Sequence, residues 1–556
     1  MAYVLLGTGV AAVLIFMMIQ SYLEEKRRAA QFKKRLQKEY GTVLKYEYSE
    51  ERVSALKGYY DTHEKSVGHV DDISWNDIDG ERLFRRINYC YSSAGEEYLY
   101  YRLRNLQFDA EPEQMQVFED KINWLDSHEE ERIRMQIEFA KLGRTGKYSL
   151  FRYIDYLCQL VCIPAYRFLW IPLAYIITVI LIFTFPKAGV FAIVGLFTAL
   201  MFVHLKKKKE VEPYLISFKY IIRVLKLAER LGKHPVECWQ EECSKLLELR
   251  KKVSGISDLS MSVFPTESSS GDALADSIRG FSNMLTHIDI FVFYRMLKQV
   301  NQNKDIIDEM VTLMGKMESQ ISIASFRRSL PHYAVPVFKD REGMKIVDGI
   351  HPLIEEAVPN SFDISGSMLL TGSNASGKST FLKMVEICMI LAQTIQTVPA
   401  KFYEAKEYRV YSSMSLRDDL ESGESYYMVE IKAIKRILEA TKETGHPVAG
   451  FVDEVLRGTN TVERIAAASE IMESFTDNGM LSFAATHDIE LTNLLAHKYD
   501  NYHFEEVIEN DDILFPYILL EGPARTRNAI KLLRLMGYPD ELTERADRRA
   551  SELLKS

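Results

Sequence analysis

The most constraining feature of the sequence is a glycine-rich loop that follows a short apolar run. Met368 to Leu370 leads into a stretch that fits the pattern G-x-x-x-x-G-K-[ST]. Such loops wrap backbone N–H groups around phosphate oxygens between a buried strand and a helix, so the pattern predicts an α/β domain. The predicted nucleotide-binding residues are Gly372, Ser373, Asn374, Ala375, Ser376, Gly377, Lys378, Ser379 and Thr380.

A second apolar run, Val448 to Val452, ends in the carboxylates Asp453 and Glu454. The carboxyl ends of parallel strands meet at one edge of a sheet, so we expect both carboxylates beside the loop. Asp453 and Ser379 are the predicted Mg²⁺ ligands. Glu454 is the predicted general base that polarises the attacking water.

A third run, Leu481 to Ala485, is followed closely by His487, which we predict contacts the γ-phosphate. Lys378 supplies a cation for the β- and γ-phosphates. These patterns predict an ATP hydrolase that uses ATP and Mg²⁺, with Glu454, Lys378 and His487 as catalytic groups. No other small-molecule substrate is expected.

Taken together, these residues resemble the ATPase of the MutS mismatch-repair family, within the ABC class. Asp418 to Glu430 matches the family segment D-D-L-x-x-G-x-S-x-F-x-x-E, with Tyr426-Tyr427 in place of Thr-Phe. In that family the serine equivalent to Ser425 faces the γ-phosphate held by the other subunit. The resemblance implies a mixed, mostly parallel sheet, a homodimer with Ser425 as a further catalytic residue, and DNA as a partner.

The resemblance runs from about Tyr333 to Ala546, and a weaker one, Asp77 to Leu106, looks like the start of the family's helical core. We expect the mismatch-reading domain to be missing, because the family's Phe-x-Glu wedge is not found before the helical core. Ser373 replaces a proline and Leu456 a glycine of the family pattern. These departures keep the catalytic groups but leave mismatch recognition open.

Three uncharged apolar segments, Ala2–Leu23, Phe168–Phe185 and Ala188–Leu205, are each long enough to cross about 30 Å of hydrocarbon as a helix. Basic residues follow the first segment and flank the other two, which predicts a multi-pass protein of the cell membrane with its ATPase domain in the cytoplasm. The alternative is a buried hairpin in a soluble protein. The predicted division is a transmembrane anchor at 1–23, a cytoplasmic helical region at 24–166, a transmembrane hairpin at 167–205, a helical core or lever region at 206–332 and the ATPase domain at 333–556.

The net charge bears on how the chain could bind DNA, and the cysteine content bears on the compartment in which it works. The net charge of −9 gives no global attraction to DNA, so binding would need local basic patches. The candidates are Lys206–Lys209, Arg250–Lys252 and Arg327–Arg328, although lysines beside a membrane span also fit anionic lipid. Six cysteines in 556 residues favour an intracellular protein over a disulfide scaffold.

The sequence therefore predicts a membrane-anchored, dimeric MutS-like ATPase that couples ATP binding and hydrolysis to the binding of mismatched or structured DNA. An alternative is an ATP-driven membrane tether or regulatory ATPase with a protein partner and no DNA. An ABC-type transporter is disfavoured, because the chain has three predicted spans and no L-S-G-G-Q signature.

Overall fold

The chain forms two compact units that alternate along the sequence. The computed structural model describes residues 2–44, 48–145, 149–168, 170–253, 273–373, 376–414, 426–456, 460–509, 512–524, 533 and 537–553, with some side chains excepted. The helical unit comprises Met1–Glu64, Asn88–Tyr101 and Asp120–Ser325. The sheet unit comprises Lys65–Ile87, Arg102–Glu119 and Phe326–Ser556.

Helices dominate the first 330 residues and alternate with strands after them. The described α-helices are α1 Ala2–Glu39, α2 Glu50–Thr62, α3 Asp72–Asp77, α4 Gly80–Ile87, α5 Ser93–Arg104, α6 Pro112–Ser127, α7 Glu129–Leu142, α8 Leu150–Gln159, α9 Trp170–Thr184, α10 Pro186–Val211, α11 Leu215–Lys233, α12 Gln240–Lys252, α13 Ala273–Thr286, α14 Ile288–Gln302, α15 Lys304–Arg328, α16 Lys378–Ile395, α17 Tyr426–Ala440, α18 Thr461–Asp477, α19 Glu490–Leu494 and α20 Asp540–Leu553. The described strands are β1 Val337–Phe338, β2 Met344–Gly349, β3 Asn360–Ile364, β4 Ser367–Thr371, β5 Phe402–Ala405, β6 Arg409–Ser413, β7 Val448–Asp453, β8 Leu481–Thr486, β9 Tyr499–His503, β10 Val507–Glu509, β11 Asp512–Leu514 and β12 Leu520–Glu521.

The sheet unit is built on a six-stranded sheet in the order β12-β9-β4-β8-β7-β6. All neighbouring pairs are parallel except β12–β9, so the predicted mixed, mostly parallel α/β fold is confirmed. The central strands β4 and β8 are buried along their whole length, as continuous apolar runs predict for a sheet covered on both faces. A second sheet has the order β1-β5-β2-β3.

A segment from early in the chain completes the sheet unit at β6. The Ser412 amide donates to the Ser74 hydroxyl over 3.0 Å, and the Ser412 hydroxyl donates to the Asp77 carboxylate over 2.9 Å. The Met414 amide donates to the same Asp77 oxygen over 2.9 Å. Residues on α3 therefore fix the backbone at the point where β6 ends.

The helical unit buries three glutamates close to one another. Glu318 accepts hydrogen bonds from the amides of Tyr91 and Ser92, and Glu97 accepts a 2.6 Å hydrogen bond from the Ser149 hydroxyl. Glu96 pairs with the guanidinium groups of Arg52 and Arg144. Burial raises the pKa of Glu97 to about 8 and that of Glu318 to about 7.

Two helices of the helical unit are long and apolar enough to cross a membrane, judged by length and composition. They span Tyr166–Thr184, including a preceding 3₁₀ turn, and Pro186–Tyr214. Most of the apolar side chains on both helices are exposed, and Phe183 is 84% exposed. The predicted span at Ala2–Leu23 forms the first part of α1, but most of its side chains lie outside the described residues, so that span stays a prediction.

We expect Glu97 to make the stability of the helical unit depend on pH. Because its pKa is about 8 in the folded chain against 4.5 ordinarily, its contribution to stability is fully present below the ordinary value and is lost as pH rises through about 8. Glu97→Gln should therefore flatten the fall in stability between about pH 5 and about pH 8.5. The measurement is the thermal midpoint of the full chain in nanodiscs across that range. The exposed Glu130→Gln on α7 is the control, and an unchanged slope in Glu97→Gln would contradict the expectation.

Candidate functional site

The glycine-rich loop joins β4 to α16, as the sequence predicts. Gly372 and Gly377 have φ values of +146° and +107°, a region that favours glycine. A Cβ on Gly372 would lie 2.6 Å from the Phe504 carbonyl oxygen, so space also requires glycine there. Asn374 and Ala375, two of the predicted nucleotide-binding residues, lie outside the described residues.

Polar groups of the loop meet at the amino end of α16. The Lys378 ammonium group donates to the carbonyl oxygens of Gly372 and Ser373 over 2.9 and 2.8 Å. The Ser373 hydroxyl donates to Glu506 over 2.8 Å. The Ser376 hydroxyl oxygen is buried and has no hydrogen-bond partner among the described residues. A buried hydroxyl of this kind fits a site whose polar ligand is supplied from outside the chain.

A cavity of about 460 Å³ adjoins the loop. Its lining includes Lys378, Ser379, Glu454, His487 and His351. Burial lowers the pKa of His351 to about 4, so this imidazole is neutral at physiological pH. Cavities of this volume accept ligands of nucleotide size.

The two predicted Mg²⁺ ligands are in direct contact. The Ser379 hydroxyl donates a hydrogen bond to the Asp453 carboxylate. Burial raises the pKa of Asp453, while the hydrogen bond from Ser379 and the charge of Lys378 lower it. A hydroxyl and a carboxylate oxygen at one point are hard donors of the type that Mg²⁺ prefers.

The predicted base and the predicted γ-phosphate sensor are also in contact. Glu454 Oε1 lies 2.6 Å from His487 Nε2, and both side chains are partly exposed to the cavity. Glu454 adopts a left-handed backbone conformation with φ of +61°, which costs about 1 kcal/mol or more in a residue other than glycine. Its amide donates to the Ala485 carbonyl oxygen over 2.9 Å, so the pairing of β7 with β8 continues one residue beyond β7.

Glu430, the last residue of the segment that resembles the MutS family, supports the turn after Glu454. Its Oε1 accepts a 2.6 Å hydrogen bond from the Leu456 amide, and Leu456 also has a positive φ of +59°. The predicted catalytic residue Ser425, together with 415–424, lies outside the described residues, as do Arg457–Thr459. The predicted role of Ser425 therefore stays a prediction.

Two further pairs support the site and were not predicted from the sequence. Arg464 on α18 binds both carboxylate oxygens of Asp488, directly after His487, over 2.9 and 2.6 Å. The Asn360 side chain donates to the Tyr517 carbonyl oxygen over 3.0 Å and so holds this aromatic residue beside Gly377. The position of Asp488 at the end of β8 was the available signal for the first pair, whereas the second joins residues 157 positions apart.

One of the basic candidates for DNA contact is in the interior. Arg327 is 3% exposed, and its guanidinium group pairs with Glu119 over 2.8 Å and donates to Thr397 over 2.8 Å. As a DNA contact Arg327 is therefore a wrong prediction, because its charge is already neutralised inside the sheet unit. Lys206, Lys208 and Lys209 are exposed, as are Lys251 and Lys252.

The strand–loop–helix geometry and the Ser379–Asp453 contact define a P-loop nucleotide-binding domain of the α/β class. Residues 368–554 match the family described as MutS domain V. The C-terminal region of the chain is therefore similar to MutS domain V over the residues that the match covers.

Similar curated proteins share this region. DNA mismatch repair protein MutS of Thermus thermophilus is 29% identical over 261 residues, which is 46% of this chain and 31% of that protein. The protein of the same name from Bacillus velezensis is 31% identical over 287 residues, or 49% of this chain and 32% of that protein. That from Streptococcus thermophilus is 30% identical over 270 residues. The chain spans about a third of the length of these relatives.

Gly372→Ala should weaken nucleotide binding by about tenfold or more, because the added Cβ meets the Phe504 carbonyl and a strained φ costs about 1–3 kcal/mol. The measurement is the affinity for a fluorescent ATP analogue. Gly445→Ala is the matched control, since Gly445 has φ of +133° but nothing within 4 Å of an added Cβ. Equal binding by Gly372→Ala and the wild-type chain would contradict the role of this loop.

Proposed function

We propose that this protein is a membrane-anchored, MutS-like ATPase that binds and hydrolyses Mg·ATP at a dimer interface and couples this cycle to DNA. The observation that carries the proposal is the meeting of Ser379, Asp453, Glu454 and His487 beside the glycine-rich loop. The relatives named above are DNA mismatch repair proteins, which supports DNA as the partner.

The residues present fit ATP and Mg²⁺. The buried Ser376 hydroxyl, without a partner among the described residues, and the backbone amides of the loop suit phosphate oxygens. Ser379 and Asp453 would hold Mg²⁺, which, when bound with the nucleotide, neutralises charge on the phosphate oxygens. Lys378 would exchange its bonds to loop carbonyl oxygens for bonds to the β- and γ-phosphates.

For hydrolysis, Glu454 orients a water and accepts its proton as the water oxygen attacks the γ-phosphorus and the bond to the ADP oxygen breaks. His487 holds the Glu454 carboxylate at 2.6 Å before ATP binds. When a γ-phosphate arrives, His487 donates to it instead and leaves Glu454 for the water. Arg464 limits the movement of this loop through its two bonds to Asp488.

A partner subunit completes the proposed site. From the resemblance to the MutS family we expect Ser425 of the partner subunit to face the γ-phosphate. Glu430 links α17, which begins at Tyr426 directly after Ser425, to the turn that follows Glu454. A change in the position of Ser425 can therefore reach the catalytic base through one helix. ATP that is held by both subunits favours the closed dimer, and hydrolysis removes that preference.

Two features support a membrane anchor. In the most apolar 18-residue stretch of each of the two helices, only 12% and 17% is buried. A hairpin in the core of a soluble protein would be mostly buried. Gly189 on α10 lies so close to Ile182 that a Cβ would be 2.5 Å from its Cα, which fits close packing of small residues between membrane helices. The exposed lysines from Lys206 onward favour the cytoplasmic side for the hairpin ends.

The alternative function is an ATP-driven tether with a protein partner and no DNA. The buried position of Arg327 favours this alternative. The two proposals share the nucleotide chemistry and differ only in what the closed dimer holds.

Glu454→Gln should lower ATP turnover by about 100-fold or more while leaving ATP affinity within about threefold, because the amide cannot accept the proton of the water. The measurement is phosphate release by the full chain in nanodiscs, with nucleotide affinity measured in parallel. Glu470→Gln, an exposed residue on α18, is the control. Full turnover by Glu454→Gln would show that another group acts as the base.

DNA binding should appear in the ATP-trapped state of Glu454→Gln. The full chain in nanodiscs with Mg·ATP is compared for binding to homoduplex, mismatched, branched and single-stranded DNA across a salt series, because the salt slope counts phosphate contacts. We expect structure-dependent binding that Lys378→Ala abolishes. Binding to none of these forms at low salt would reject the DNA proposal and leave the tether.

A further inference from the structure

A cluster of one histidine and two carboxylates lies at the edge of the sheet opposite the glycine-rich loop. Glu407 comes two residues before β6 and His446 two residues before β7. These strands are parallel, so their amino ends meet at one edge, whereas the loop follows the carboxyl end of β4. Asp109 reaches the same point from the segment Arg102–Glu119 of the sheet unit.

The potential ligand atoms of the three side chains all lie within 4.8 Å of one another. Asp109 Oδ2 is 3.1 Å from His446 Nε2, and the Asp109 amide donates to Glu407 Oε2 over 2.8 Å. A tetrahedral ion with bonds of 2.0–2.1 Å separates neighbouring ligand atoms by about 3.4 Å. The 3.1 Å between Asp109 Oδ2 and His446 Nε2 is thus close to the separation of two ligands of one metal ion.

Other contacts hold the histidine in place. The Phe108 ring stacks on the His446 ring with 4.2 Å between centroids and 22° between planes. The His446 carbonyl oxygen accepts a 2.9 Å hydrogen bond from Arg409, whose guanidinium group is engaged by Glu443. The imidazole is therefore oriented before any ligand binds, which reduces the entropy cost of binding.

Within the part of the chain that the structure describes, the two carboxylates of the cluster have little positive charge beside them. Among the described residues, no lysine or arginine forms an ion pair with Asp109 or Glu407, and His446 is the only basic group in contact with them. Two adjacent carboxylates with one imidazole favour a divalent cation, which would neutralise both charges.

We propose that Asp109, Glu407 and His446 form a binding site for a first-row divalent transition metal, with Zn²⁺ bound more tightly than Mn²⁺ and Mg²⁺ bound weakly. The imidazole selects against Mg²⁺, and the order of the other two follows the general affinity series of these ions. The exposed side chain of Asp109 leaves a route for the ion and a position for water.

Such an ion would join three segments that are far apart in the sequence. Asp109 belongs to Arg102–Glu119, an early segment of the sheet unit, while Glu407 and His446 precede two adjacent strands. Binding to the folded chain alone raises stability with the logarithm of the metal concentration. The site is independent of the proposed ATPase, because it shares no residue with the nucleotide cavity.

The test uses the full chain in nanodiscs, stripped of metal and free of nucleotide. Zn²⁺, Mn²⁺ and Mg²⁺ are titrated by calorimetry, and Co²⁺ is added to record the visible absorption of a tetrahedral site. We expect one Zn²⁺ per chain that raises the melting temperature, and a loss of affinity of about tenfold or more in both His446→Ala and Asp109→Asn. Asp109→Asn changes an exposed side chain, so it separates loss of the site from loss of the fold.

Two control variants define specificity. His497→Ala removes a surface histidine that lies 3.6 Å from Glu473, with no third potential ligand among the described residues, and Glu470→Gln removes an exposed carboxylate on α18. Both controls should bind Zn²⁺ as the wild-type chain does. Zn²⁺ binding that is absent, or that survives His446→Ala and Asp109→Asn unchanged, would overturn the proposal. In that case the cluster is an ion pair of His446 with Asp109 only.

Discussion

The parallel pairing of β4, β8 and β7 is the constraint on which the rest of the site depends. Thr371 at the end of β4 is in register with Thr486 at the end of β8, and Asp453 at the end of β7 is in register with Ala485. The three strands therefore end at one level. The glycine-rich loop, the two carboxylates and His487 come directly after those ends, so the backbone hydrogen bonds of the sheet place them at the same edge.

The backbone is also strained next to the candidate catalytic residues. Glu454 and Leu456 both have positive φ, and neither is glycine. The left-handed conformation of Glu454 is held by the hydrogen bond from its amide to the Ala485 carbonyl oxygen. That of Leu456 is held by the hydrogen bond from its amide to the Glu430 carboxylate. The neighbouring structure thus keeps the carboxylate in an orientation that an unsupported turn would not favour.

Local patterns in the sequence were sufficient for the sheet and for the order of its functional groups. The apolar runs at β4, β7 and β8 predicted the strands, and the polar residues after them predicted which groups would meet. The association of α3 with β6 could not be predicted in this way, because Asp77 and Ser412 are 335 positions apart and no local pattern links them. The same holds for Arg327, whose charge looked like a surface feature until its partner Glu119 was located. Long-range pairs of this kind depend on packing, which a single sequence does not display.

The hydrogen bonds between α3 and β6 limit how the chain can be divided into fragments. Asp77 accepts two hydrogen bonds at the end of β6, and Arg436 on α17 pairs with Asp71 over 2.6 Å. A fragment that begins near Phe326 would contain every nucleotide-binding motif, yet it would leave the Met414 amide and the guanidinium groups of Arg327 and Arg436 without their acidic partners. The nucleotide-binding domain is therefore discontinuous in the sequence although it is continuous in space. If this domain were exchanged between proteins during evolution, Lys65–Ile87 and Arg102–Glu119 would have to be transferred with it, or the contacts that they make would have to be replaced.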